Sequence, residues 1–138
     1  MPDIFENVRS KLTTMYNTEH LISYATLPVN YPGRILYDPS TGNSPFVVLN
    51  IRFNKPKQMN MGQRTVRVSG DLVLQYFYRQ GTGLKPSLTY SDFLFDKFAL
   101  RTINGVTFRE LALYTDAGME GWEGTLNVVP FQTEYYNI

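Results

Sequence analysis

Hydrophobic and polar residues alternate along Thr65 to Arg79, TVRVSGDLVLQYFYR, with Val66, Val68, Leu72, Leu74, Tyr76 and Tyr78 on even positions. Thr65, Arg67, Ser69, Asp71, Gln75 and Arg79 stand opposite, with Val73 and Phe77 as the apolar exceptions. A period of two held this long predicts a strand with one face on a core and the other largely wet. So long a strand is expected to bend, and Gly70 is the natural place for a bulge. Phe46 to Phe53 alternates as well, with Val47, Leu49, Ile51 and Phe53 on one side and Phe46, Val48, Asn50 and Arg52 on the other. Its two apolar faces near the start predict a central strand.

Helical spacing governs the beginning of the chain. Ile4, Val8, Leu12 and Met15/Tyr16 form one apolar stripe, predicting a helix from Asp3 to about Glu19. Asp3 and Glu6 have the spacing of a capping box. Leu21 to Ser44 is broken by Pro28, Pro32, Gly33, Pro39 and Gly42, and reads as an excursion with one or two short strands. A second helix is expected from Tyr90 to Ile103, capped by Thr89 or Ser91 and ended by Asn104-Gly105. Val106 to Tyr114 and Gly124 to Tyr136 read as two further strands joined by an acidic loop, Thr115 to Glu123. Pro130 places the last strand on an edge or at a bulge. The pattern predicts an α+β fold: an antiparallel-rich sheet of about four to five strands, two helices packed on one face, and a long β-hairpin extension. At 138 residues, one domain spanning the chain (1–138) is expected.

Between the two long strands lies Asn54 to Gln63, NKPKQMNMGQ, longer than a hairpin requires. Met59 and Met61 at its tip suit packing on a partner, while a merely mobile hairpin is the plainer reading. Charge adds to this. From Pro39 to Tyr90 the one acidic residue is Asp71, against Arg52, Lys55, Lys57, Arg64, Arg67, Arg79 and Lys85. From Glu110 onward stand Glu110, Asp116, Glu120, Glu123 and Glu134, with no Lys or Arg. The split points to two unlike surfaces that each meet something, or to an ordinary solvated surface. Trp122, at the end of the acidic loop, reads equally as a core plug or an interface anchor.

Candidate chemistry is sparse. The net charge of +1 carries no nucleic-acid signature, and no apolar run reaches membrane-spanning length. With no cysteine and a single histidine, His20, neither a thiolate metal site nor a Ser-His pair has its parts. His20 itself reads as a surface residue at a helix end. Gly81-Thr82-Gly83-Leu84-Lys85 lacks the spacing of a phosphate loop. Asp92 and Asp96 share a helical face with Lys97 and Arg101 nearby, which reads as ion pairing. No catalytic residue, cofactor or metal is expected. A 14% aromatic content, with ten Tyr and nine Phe, leans towards a β-rich assembly protein.

The order of parts resembles the tail terminator (tail completion) proteins of long-tailed bacteriophages. The resemblance runs through nearly the whole chain: a short N-terminal helix, PFVVLNIRF, a long loop into VSGDLVLQYFY, then GTG opening into an amphipathic helix, INGVTFREL, and WEGTLNVVPFQTEY. It implies an α+β virion subunit, assembled in the host cytoplasm, that forms a homohexameric ring on the head-proximal end of the tail tube. Such a ring stops tube polymerisation and provides the surface for head-tail joining at the neck. The implied partners are further copies of the chain, the tail tube protein and a head-completion or connector protein. DNA would pass through the lumen without specific binding, and no membrane is involved. On this reading the interface candidates are Arg52, Lys55, Lys57, Met59, Met61, Arg64 and Arg67 on the basic side, with Asp116, Glu120, Trp122 and Glu123 on the acidic side. An alternative of another class is a small-ligand-binding or isomerase-like module, with a pocket between helix and curved sheet lined by Tyr76, Tyr78 and Asp71.

Overall fold

The computed structural model describes residues 4–137 apart from 32, 36, 41, 55–56, 59–64, 82 and 120, and describes the backbone alone at 57–58, 65, 116–119 and 134–137. Its elements run α1 (Ile4–Ser23), β1 (Val29–Asn30), β2 (Phe46–Phe53), β3 (Lys57–Gln58), β4 (Thr65–Arg79), α2 (Lys85–Lys97), β5 (Thr102–Ile103), β6 (Val106–Phe108), β7 (Ala112–Met119) and β8 (Trp122–Asn137). This is an α+β fold. One mixed sheet has the order β1-β2-β4-β8-β6-β5, with β3 added to β4 and β7 added to β8. All pairings are antiparallel except β1 with β2.

The frame is the β4–β8 pair, which stays in register from Arg79↔Trp122 down to Ser69↔Gln132. The expected alternation of β4 holds: Val68, Leu72, Leu74, Tyr76 and Tyr78 all enter one core with Leu49 of β2 and Val129 and Phe131 of β8. Both helices cover that face, α1 through Val8, Leu12, Met15 and Tyr16 and α2 through Tyr90 and Leu94. The other face is drier than its polar pattern suggests. Val73 and Phe77 are buried there, Phe77 stacked on Phe46 at 5.0 Å.

The irregularity in β4 falls at Arg67/Ser69 and not at Gly70. There β8 carries one extra residue, two against Val68 alone, and the Thr133 hydroxyl replaces the ladder. It accepts from the Val68 N–H at 3.2 Å and donates to the Val68 carbonyl at 3.1 Å. Gly70 serves a different purpose: a Cβ there would lie 1.9 Å from the backbone oxygen of Arg52, so glycine lets β2 close on β4. Pro130 lies neither on an outer strand nor at a bulge. On the side of β8 away from β4, β6 pairs as far as Phe131 and β7 begins at Val128, so Pro130 fills the gap between them, where no ladder N–H is needed. Its carbonyl accepts from Arg109 N–H at 2.8 Å.

Several expected boundaries move. α1 runs on to Ser23, carrying the apolar stripe through His20. The expected extended stretch from Leu21 is therefore partly helix, and the short strand of this region is β1. α2 begins five residues early because Pro86, which has no N–H to lose, suits a first helical turn. Thr89 and Ser91 do not cap; their hydroxyls donate to the carbonyls four residues back, at 3.0 and 3.1 Å. Asn104-Gly105, with φ of 50° and 80°, forms the two-residue turn between β5 and β6 and not a helix end. The expected acidic loop is largely strand, since β7 and β8 pair up to Met119↔Trp122. Asp3, the first half of the expected capping box, lies outside the described residues.

Candidate interaction surfaces

The basic candidates gather at one end of the sheet. Arg52 is exposed near the end of β2, directly opposite Asp71 of β4 in the ladder. Lys57 on β3 pairs in register with Arg67 on β4, and Arg67 is half-buried. Lys55, Met59, Met61, Arg64 and most of the Asn54–Gln63 loop lie outside the described residues, as does Glu120. The acidic candidates lie at the far end of the same strands. Glu123 pairs with Tyr78 of β4, and the Asp116 backbone pairs with Gly124. Tyr78 is eleven positions from Arg67 on β4 and seven from Asp71, the partner of Arg52, so roughly 23 to 36 Å of strand separates the two groups. They do not meet within one subunit.

Glu123 is partly engaged inside the chain. Burial raises the Tyr78 phenol above its ordinary range, and the charge and hydrogen bond of Glu123 raise it further. Trp122 takes the core-plug half of its two readings: it is 3% exposed and meets Phe46 edge-on at 5.1 Å. Tyr37 completes this aromatic group on Phe46 at 5.3 Å, and its hydroxyl accepts from the Ser44 N–H. The excursion after β1 is thereby fixed to the second face of the sheet.

The two helices and the segment after α1 are joined by a polar chain that sequence reading missed. His20 is 4% exposed, not a surface residue. Its Nε2 lies 2.8 Å from the Leu27 carbonyl, which can only accept, so Nε2 carries the hydrogen. Nδ1 then accepts from the Tyr16 hydroxyl at 2.9 Å, and Tyr16 accepts in turn from Tyr90. Burial lowers the His20 pKa, partly offset by the Leu27 bond, and raises the phenols of Tyr16 and Tyr90. The available signal was the i, i+4 step from Leu12 to Tyr16 to His20.

The space proposed for a ligand pocket is filled. Tyr76 and Tyr78 are 5% and 6% exposed, and Tyr76 packs on Tyr90 at 5.2 Å. Asp71 sits at an odd position of β4, on the opposite face. Among the described residues no group of three His, Asp or Glu is placed to hold a metal ion. No described helix is long and apolar enough to cross a membrane.

Among known proteins, no family model and no curated protein matches this chain. One solved structure is similar with a TM-score of 0.64 at 12% identity, covering 95% of this chain and 96% of that one, and the name of that protein states no function. At that identity the likeness bears on the α+β fold alone.

Proposed function

We propose that the chain is a structural virion subunit of the tail terminator kind. Copies form a ring of about six on the head-proximal end of a phage tail tube, end tube growth and present the surface to which the head joins. The observation that carries this reading is the polarity of the β4–β8 pair, with Arg52, Lys57 and Arg67 at one end and Asp116 and Glu123 at the other. A ring subunit between a tube and a head-completion or connector protein needs two unlike rims, and the interface candidates divide in that way, while Arg79 at the acidic end is engaged with Trp122 and the Pro39 and Gly42 carbonyls. The sequence resemblance along nearly the whole chain supports the same reading. DNA crosses the lumen without specific contacts, and the protein acts in the neck of the virion after assembly in the host cytoplasm. We assign the Asn54–Gln63 loop, with Met59 and Met61, to docking on the tube or a neighbouring subunit. Filling of the Tyr76–Tyr78 space by Tyr90 counts against the ligand-binding alternative.

Light scattering on a sizing column tests the proposal. A ring gives a mass near six times the 15.9 kDa of one chain. A stable monomer or dimer that binds a small ligand would overturn it.

A further inference from the structure

One edge of β7 pairs with β8, and its other edge pairs with no strand among the described residues. The register is regular from Ala112 to Asp116, a stretch without Pro or Lys. Natural sheets usually blunt such an edge with those residues, because free N–H and C=O groups on an apolar strand invite pairing. Here the side chains add to the invitation. Leu113 and Tyr114, pointing to opposite faces, are 41% and 56% exposed.

The helix above contributes to the same side. Tyr90 and Phe93 turn one flank of α2 towards α1, where both pack on Tyr24. Helical phase sets Leu88 and Phe95 on the opposite flank, over the β7 side, and they are 38% and 53% exposed. Leu113 pairs with Asn127, which is buried on the helix-covered side of β8, so Leu113 shares that side with Leu88 and Phe95.

The opposite lateral edge of the sheet, at β1, carries a different apolar patch. Leu21 and Ile35 are 66% and 74% exposed and straddle that strand. Leu21 lines a groove of about 620 Å³ with Val29 and Tyr31. Ile35 lines another of about 560 Å³ with Asn30 and Tyr31. Chain folds over this edge, since the Asn30 side-chain amide donates to the Tyr37 carbonyl and accepts from the Tyr37 N–H. One edge therefore offers an open strand with projecting side chains, and the other offers apolar grooves.

We propose that these two edges meet between copies: the β7 edge of one subunit, with Leu88, Phe95 and Leu113, seats on the Leu21–Ile35 side of the next. The contact is heterologous, the kind that closes into a ring. Two β7 edges meeting each other would leave Leu21 and Ile35 in water in every copy. The inference rests on the ring reading and deepens it, assigning the subunit junctions to the lateral edges and leaving the charged strand ends for the two rims.

The test uses two surface variants of the full chain, Phe95→Glu with Leu113→Lys, and Leu21→Glu with Ile35→Lys. Circular dichroism and melting temperatures matching wild type establish that both fold. By light scattering each variant alone runs at the mass of one chain, while wild type forms the larger assembly. Mixing the two variants doubles the mass and goes no further, because one intact junction remains per pair. The proposal is overturned by wild type at single-chain mass, by either variant keeping the wild-type mass, or by variants that fail to combine. If the ring persists in both variants, the edges assigned here are wrong and the ring reading stands. If the mixture pairs as expected but tails form normally without the chain, the tail reading fails and the junction stands.

Discussion

The guanidinium of Arg79 stands 4.2 Å from the centre of the Trp122 ring and also donates to the carbonyls of Pro39, at 3.3 Å, and Gly42, at 2.9 Å. One side chain at the end of β4 thus ties the excursion after β1 to the start of β8. Replacing it with methionine keeps an apolar stem against the indole and removes every donor. Arg79→Met is expected to cost about 1–3 kcal/mol and to open the chain near Pro39–Gly42 to proteases. Urea midpoints and limited digestion check this; a variant as stable and as resistant as wild type contradicts it.

Leu74 has no exposure and sits mid-strand under both helices. Leu74→Ala is expected to cost roughly 2–5 kcal/mol, the transfer of the lost atoms plus the cavity they leave. A loss under about 1 kcal/mol in urea melts would mean that this face is not the core.

Stability should fall in mild acid through His20. Its pKa in the folded chain lies below the ordinary histidine value of 6.5 because burial disfavours the charged ring. Between that lowered value and 6.5 the unfolded chain binds more protons, so stability is greater above 6.5 and declines as pH drops below it. A protonated Nδ1 would also face the Tyr16 hydroxyl with a second donor, reversing the chain to Tyr90. His20→Gln removes the titration, so urea midpoints between pH 7.5 and 5.5 should fall less steeply in that variant. Equal slopes in both proteins would exclude His20 as the source.

The charged strand ends carry a separate expectation. Reversing Lys57 to Glu alters the basic rim at a residue that lines neither lateral-edge groove, so the assembly should keep its mass while fewer tails are capped or joined to heads. Light scattering and counts of particles in micrographs report the two effects. Loss of assembly with capping intact would contradict the division of roles.

The long strands were legible in the sequence because their alternation is enforced by a core on one face: β2 and β4 have the bounds that the pattern predicts. α2 was misplaced where local signals competed. Ser and Thr in its first turns look like caps, yet Pro86 fixes the start and the hydroxyls bond back along the helix. Asn-Gly after an apolar run fits a helix end or a tight hairpin, and only the partner strand β6 decides for the hairpin. Burial of His20 depends on Leu27 and Tyr90, seven and seventy positions away, so no local pattern could assign its bonds. The charge split was visible as composition. That Lys57 and Arg67 lie towards one end of the strand pair and Asp116 and Glu123 at the other follows only from register, which also sets Arg79 at the acidic end and Glu134 at the basic one.

Electron micrographs of tails assembled with and without this chain test the central claim most directly. With it, tails should be uniform in length, joined to heads, and finished at the head-proximal end by a ring of about six subunits. Without it, tubes should vary in length and remain headless. Uniform, head-joined tails made in its absence would contradict the account.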